Sequence, residues 1–198
     1  MSPLGASVVA IGLWVLSWFM AAIWTRRAAA RPPLLDQAAY IVPTAIGGVL
    51  LYGPFEARAA GAFHLAGDWT LLRPPGVVGW ALFVVCLAGL GFTWWARLTL
   101  GSLWSGTVQR KEAHAIVETG PYRLVRHPIY TGLLAAFASV ALQLASPLGF
   151  VGFAFFTLGF FLKARLEERF LMAELGESAY ADYRRRTPML VPFWPVRG

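Results

Sequence analysis

The 198 residues are 58% hydrophobic and only 14% charged, which is too apolar for a soluble domain that must cover its core with polar surface. A formal charge of +7 in so apolar a chain fits cytoplasmic loops held against anionic lipid headgroups, and nucleic acid is excluded as a partner on that ground. The lone cysteine, Cys86, sits in an apolar run and can support neither a disulfide framework nor a thiolate metal cluster, so no metal is expected.

In chain order, five segments read as membrane helices. Residues 4–24 form the first, an apolar run too long and too poor in basic residues at its start to be a cleaved signal peptide. Residues 38–55 form the second and carry Pro43, Gly47 and Gly48, small or kinking residues that membrane helices use for close packing. The third is 76–95. The fourth and fifth, 128–144 and 148–162, are separated only by a Ser146-Pro147 turn, which predicts a tight antiparallel hairpin. Beyond them, Tyr180-Ala-Asp-Tyr183-Arg-Arg-Arg186 predicts a short amphipathic helix ending near Arg186. An apolar and aromatic tail on the membrane surface then follows, with the arginines toward lipid.

Every Lys and Arg except Arg58 and Arg73 falls after the first span, between the third and fourth, or after the fifth, and these three regions are therefore assigned to the cytoplasm. The N-terminus and residues 56–75 then lie on the opposite side, and an odd number of spans returns the C-terminus to the cytoplasm. The expectation is one all-α integral membrane domain over residues 1–198, in contact with membrane lipids, with its informative polar residues confined to 97–127 and 163–198.

Two polar groups converge within that topology. Gly120-Pro-Tyr-Arg-Leu-Val-Arg-His-Pro-Ile-Tyr-Thr-Gly132 enters the fourth span with His127 directly before Pro128, and proline is preorganised for the first position of a helix. With His127 as the cap, the unpaired amides and positive dipole end of that helix would suit a carboxylate or phosphate. The plainer reading makes His127 and Tyr130 interfacial anchors. Lys163, Arg165, Glu167, Glu168 and Arg169 crowd the end of the fifth span, and antiparallel pairing brings them beside His127. The four-residue spacing of Lys163 and Glu167 allows a simple ion pair on one helix face, while ionisable groups at a membrane boundary also mark binding sites.

Arg126-His127-Pro128-x-Tyr130-x-Gly132, followed by Glu167-Glu168 and then Leu175-Gly176-x-x-x-Tyr180-x-x-Tyr183, resembles the isoprenylcysteine carboxyl methyltransferases and their phospholipid methyltransferase relatives. The likeness covers about the last half of the chain. It implies a small helical membrane enzyme that binds S-adenosylmethionine at the cytosolic side, beneath the segment before the fourth span and the C-terminal region. A lateral route would admit a lipidic or prenylated acceptor. Carried over residue by residue, it places Gln109, His114, Ala115, Ile116, Val117, Tyr122, His127, Pro128, Ile129, Tyr130 and Glu167 around the cofactor. Lys163 falls where the family puts a substrate-contacting base and replaces an expected arginine. The interval from Gln109 to His114 is shorter than the family's.

Methyl transfer from a sulfonium is an in-line displacement, so positioning and exclusion of water would be the protein's main contribution. Glu167 would take the cofactor ammonium, the His127 helix start its carboxylate or ribose, and Lys163 or Arg165 would steer an acidic acceptor. The first acceptor implied is an isoprenylcysteine carboxylate. A phospholipid amine, a thiol or another small isoprenoid are alternatives, since the motif reports the cofactor more than the acceptor. A nicotinamide-dependent membrane reductase would need a glycine fingerprint that is missing here, and a noncatalytic carrier would need charges buried within the spans.

Overall fold

A computed structural model describes residues 1–21, 33–59, 74–101, 116–175 and 177–195. The elements are α1 (Pro3–Ala21), α2 (Leu34–Ala59), α3 (Gly76–Leu100), a 3-10 turn (Gly120–Arg123), α4 (Pro128–Leu144), α5 (Pro147–Leu175) and α6 (Glu177–Arg186). Four helices, α1, α2, α3 and α5, are long and apolar enough to cross a membrane. The helix expected as the fourth span is present with the expected bounds, but at 17 residues α4 is shorter than the others and is not among the four long enough to cross. At a rise of about 1.5 Å per residue it covers roughly 25 Å, a little less than a typical hydrocarbon core. Large apolar side chains remain exposed along the outer faces, among them Leu13, Leu16, Phe19, Val84 and Leu98, as a lipid solvent allows.

The expected bounds need correction at several ends. Helix α2 begins four residues before 38, and α3 runs on to Leu100. Helix α5 continues thirteen residues past 162 to Leu175, so the charged cluster lies within a helix and not beyond its end. Hydropathy stops at 162, yet Lys, Ala, Arg, Leu and Glu are all good helix formers, and nothing breaks the backbone before Gly176. The hairpin turn follows its sequence. Ala145 ends α4 in the left-handed region, and the Ser146 hydroxyl accepts the Gly149 N–H at 3.1 Å to cap α5, which opens on Pro147.

Helix α2 packs on α5, α3 on α4, and α1 on α3. Glycines set the first two contacts. A Cβ on Gly89 of α3 would stand 2.5 Å from the carbonyl oxygen of Gly132 on α4, and one on Gly132 would stand 2.5 Å from that of Gly89. Between α2 and α5, a Cβ on Gly47 would meet the Gly152 oxygen at 2.9 Å, and one on Gly159 would meet the Thr44 amide nitrogen at 3.0 Å. These obstacles are backbone and cannot swing aside, so the helices touch main chain to main chain as small residues permit in membranes. Gly132→Ala is therefore expected to destabilise the fold by about 1–3 kcal/mol through overpacking. Gly91→Ala, on the same α3 but with nothing within 4 Å, should be neutral or mildly stabilising. Unfolding midpoints in mixed detergent compare the two, and equal midpoints would remove this account of the packing.

Polar bonds complete the bundle. The indole of Trp14 donates to Thr93 Oγ1 at 2.7 Å, tying α1 to α3, and Gln143 Nε2 donates to Ser7 Oγ at 2.9 Å, tying α4 to α1. One end of the bundle thus collects the end of α3, the starts of α2 and α4, and the polar half of α5.

Candidate active site

His127 occupies the N-cap of α4 with Pro128 at the first helical position, as the His-Pro sequence requires. No side-chain cap bond forms; the ring turns instead toward α5. Nδ1 lies 3.4 Å from Glu167 Oε2, and Nε2 lies 3.2 Å from Glu168 Oε1. With a carboxylate oxygen at each ring nitrogen, both nitrogens are satisfied as donors only in the imidazolium. Burial alone would lower the His127 pKa, but hydrogen bonds and charge from Glu167 and Glu168 outweigh it and raise the net value.

The two glutamates are adjacent in sequence yet serve different neighbours. Glu168, with a side chain 3% exposed, accepts from Arg126 Nε at 2.7 Å, and its other oxygen lies 3.7 Å from Arg184 Nε. Glu167, 23% exposed, accepts the Tyr130 hydroxyl at 2.5 Å and is the more accessible carboxylate of the pair. Lys163, one turn earlier on α5, holds its ammonium 5.4 Å from the ring centroids of both Tyr130 and Tyr40. Rings continue below: His127 stacks on Tyr130 at 5.6 Å and Tyr130 on Phe160 at 5.3 Å.

The chain after α5 closes over this cluster. The Arg126 N–H donates to Pro188 O at 2.9 Å, the His127 N–H to Met189 O at 3.1 Å, and the Thr131 hydroxyl to Leu190 O at 2.6 Å. The Arg126 guanidinium adds Nη1 donations to the carbonyls of Arg184, at 3.2 Å, and Thr187. On α6, the Tyr183 hydroxyl donates to the Tyr122 carbonyl at 2.7 Å, which fixes the 3-10 turn beside the site. Tyr122 itself is buried, and burial followed by the Glu167 charge pushes its phenol well above the ordinary value. Arg186 pairs with Asp182 and with Glu118, and Arg185 with Asp182, so the cluster expected to face lipid makes its own ion pairs. Val191, Phe193 and Trp194 beyond it are exposed.

His127, Tyr130, Lys163 and Glu167 are thus gathered at one place, with Tyr122 alongside. Pro128 is buried at the helix start and Ile129 packs on the apolar core. Ile116 and Val117 lie half-buried just before the 3-10 turn. Gln109, His114 and Ala115 lie outside the described residues. Arg165 is exposed, its guanidinium 5.9 Å from the Phe161 ring, and it does not join the group. Three participants were not assigned from sequence. Glu168 and Arg126 stand within the motifs and could have been suspected from the paired acids. Tyr40, on a distant helix, carries no local signal.

Geometry and surface together describe a helical membrane protein with an ionised, aromatic-lined site at one end of its bundle. Residues 80–173 match the family model of the isoprenylcysteine carboxyl methyltransferase (ICMT) family. A methanethiol S-methyltransferase of Mycobacterium tuberculosis is 32% identical over 187 residues, 88% of this chain and 69% of that protein. Protein-S-isoprenylcysteine O-methyltransferase B of Arabidopsis thaliana is 33% identical over 87 residues, covering 43% of this chain and 44% of the relative. A methanethiol S-methyltransferase 2 of Bradyrhizobium diazoefficiens is 46% identical over 72 residues, and there the chain spans only 26% of the relative. The chain belongs to the isoprenylcysteine carboxyl methyltransferase family, a family of integral membrane methyltransferases.

Proposed function

We propose that the protein transfers a methyl group from S-adenosylmethionine to a small thiol at the cytoplasmic face of the membrane. The observation that carries the methyl-transfer reading is the accessible Glu167 carboxylate, held between His127 and Tyr130 beneath the C-terminal segment. Its chemistry fits the cofactor, because an ionised carboxylate suits the ammonium of the methionine moiety. The cytoplasmic assignment rests on the basic residues gathered at this end, Arg123, Arg126, Arg165, Arg169 and Arg184 to Arg186.

When bound, S-adenosylmethionine supplies a methyl carbon activated by the sulfonium charge. Glu167 anchors the ammonium, while the imidazolium of His127 holds that carboxylate in place from behind. The Tyr130 hydroxyl fixes the second carboxylate edge, and Tyr122 walls the pocket. Residues 187–190 cover the start of α4 and keep water from it. Lys163 provides the positive charge that an anionic acceptor needs.

The thiol acceptor draws on the relative matched over 88% of this chain, named a methanethiol S-methyltransferase; the isoprenylcysteine relatives from Arabidopsis, Xenopus, yeast and mouse match over 43–50%. A prenylcysteine carboxylate is the second reading, favoured by the Lys163 ammonium, which suits a carboxylate equally. Calorimetry of S-adenosylmethionine on the detergent-purified protein, followed by transfer assays with methanethiol, a farnesylcysteine analogue and a phospholipid amine, tests both. Saturable cofactor binding with transfer to the thiol is expected. Transfer to the farnesylcysteine analogue alone would replace the thiol reading with the second. A folded protein that binds neither the cofactor nor its demethylated product would end the enzyme assignment.

A further inference from the structure

The candidate site stands where α2, α4 and α5 meet, through Tyr40, through His127 and Tyr130, and through Lys163 and Glu167. A chain attached to an acceptor that reacts there has two courses, outward past the end of the bundle or inward along the helices toward hydrocarbon. The outward course leaves apolar groups in water and forfeits about fourfold in affinity per methylene, so a lipidic acceptor needs the inward one. That inward course is filled by rings. Directly below Tyr130 lies Phe160, parallel to it with the centroids 5.3 Å apart. Phe137 of α4 and Phe156 of α5 follow, stacked at 4.3 Å and standing 6.3 and 5.9 Å from Phe160. Tyr52 of α2 meets Phe137 edge-on at 6.3 Å. Phe137, Phe156 and Phe160 are only 8%, 6% and 8% exposed, so they spend their faces on one another.

The seams between the helices are closed as well. Gly159 and Gly152 bring α5 onto α2, where an added Cβ would stand 3.1 Å from the Tyr40 carbonyl oxygen and 2.9 Å from the Leu51 nitrogen. Gly89 and Gly132 bring α3 onto α4 in the same way. Backbones in contact leave no width for an alkyl chain, and close-packed rings do not take up extra methylenes without strain. Among the described residues the closure begins at Phe160, seven residues before Glu167 and about 10 Å along the α5 axis. We propose that Phe160 determines acceptor specificity: its ring, with Phe137 and Phe156 beneath it, is a floor that limits the acceptor to a thiol with a short side chain. This inference rests on the methyl-transfer reading above and adds to it the size of the acceptor and the residue that sets that size.

Straight-chain thiols from methanethiol to 1-octanethiol, assayed with S-adenosylmethionine in one detergent, test the floor. The ratio of kcat/KM for 1-hexanethiol to that for methanethiol is the deciding quantity, because partitioning of the thiol into micelles cancels when proteins are compared. Phe160→Ala should raise this ratio about tenfold or more over wild type, as room for added methylenes in an apolar pocket predicts. Binding of 1-hexanethiol to protein loaded with the demethylated cofactor should tighten in parallel. Phe161→Ala, at an exposed neighbouring ring, should leave the ratio as it is. A merely structural loss at Tyr130 would lower both thiols together and not move the ratio. An unchanged ratio in folded Phe160→Ala overturns the inference, and so does wild-type protein that methylates 1-octanethiol or a farnesylcysteine analogue as well as methanethiol. If Phe160→Ala does not fold, Phe160→Leu takes its place with 1-butanethiol as the longer acceptor; if neither folds, the wild-type series decides, short chains alone supporting the floor and equal rates at all lengths overturning it. Wild-type protein that binds no S-adenosylmethionine overturns this inference and the reading beneath it together, whereas failure of the Phe160 arm alone leaves that reading standing.

Discussion

Glu167→Gln is expected to weaken S-adenosylmethionine binding by about 30- to 150-fold while leaving the protein folded. The side chain keeps an oxygen to accept the Tyr130 hydroxyl, now bonded at 2.5 Å, so the local packing survives. What disappears is the negative charge. A hydrogen bond to a charged group is worth about 1.5–3 kcal/mol, and roughly the upper half of that range gives the stated loss. His127 retains Glu168 at 3.2 Å and need not leave its place. Calorimetry on wild type and variant reads the affinity, and an unfolding midpoint close to wild type shows that the loss is local. Wild-type affinity in the variant would take the cofactor ammonium away from Glu167.

Arg126→Ala should act on stability instead, lowering it by about 3–5 kcal/mol, because removing one partner of a buried ion pair leaves the other charge poorly compensated. Arg126 and Glu168 expose 7% and 3% of their side chains, and the same guanidinium also holds the carbonyls of Arg184 and Thr187. Arg126→Lys is expected to recover little, since a single ammonium lacks the planar fork that reaches a carboxylate and two carbonyls at once. The double change Arg126→Met with Glu168→Met should recover much of the stability, as apolar replacements of buried pairs often do. It should not recover full cofactor affinity, because the carbonyls of Arg184 and Thr187 lose the guanidinium that ties the end of α6 to the site. Detergent-unfolding midpoints for the four proteins decide the matter; a midpoint for Arg126→Ala within about 1 kcal/mol of wild type would show that the pair contributes little net stability.

The parts of this site that could be read in the sequence are those with local signatures. His127 before Pro128 specifies a helix start, and Ser146-Pro147 specifies a hairpin that returns Glu167 to that start. Hydropathy, by contrast, measures where apolar side chains end and not where the backbone stops being helical, which is why α5 overran its expected end by thirteen residues. Glu167 and Glu168 looked equivalent as a doublet. Only the placement of His127 between them, with Arg126 and Arg184 on one side and Tyr130 on the other, separates an accessible acid from a buried one. Tyr40 was beyond reach because its neighbours are chosen by the Gly47, Gly152 and Gly159 contacts between helices more than a hundred residues apart.

The carbonyls of Pro188, Met189 and Leu190 complete the start of α4, and these residues leave the ribosome after every helix of the bundle. A nascent chain can therefore pair its helices while this end of the bundle still lacks its cover. Completion of the candidate site is then a late event of biosynthesis, and a translation product interrupted near Arg186 would keep its helices but lack the carbonyls that cover the start of α4.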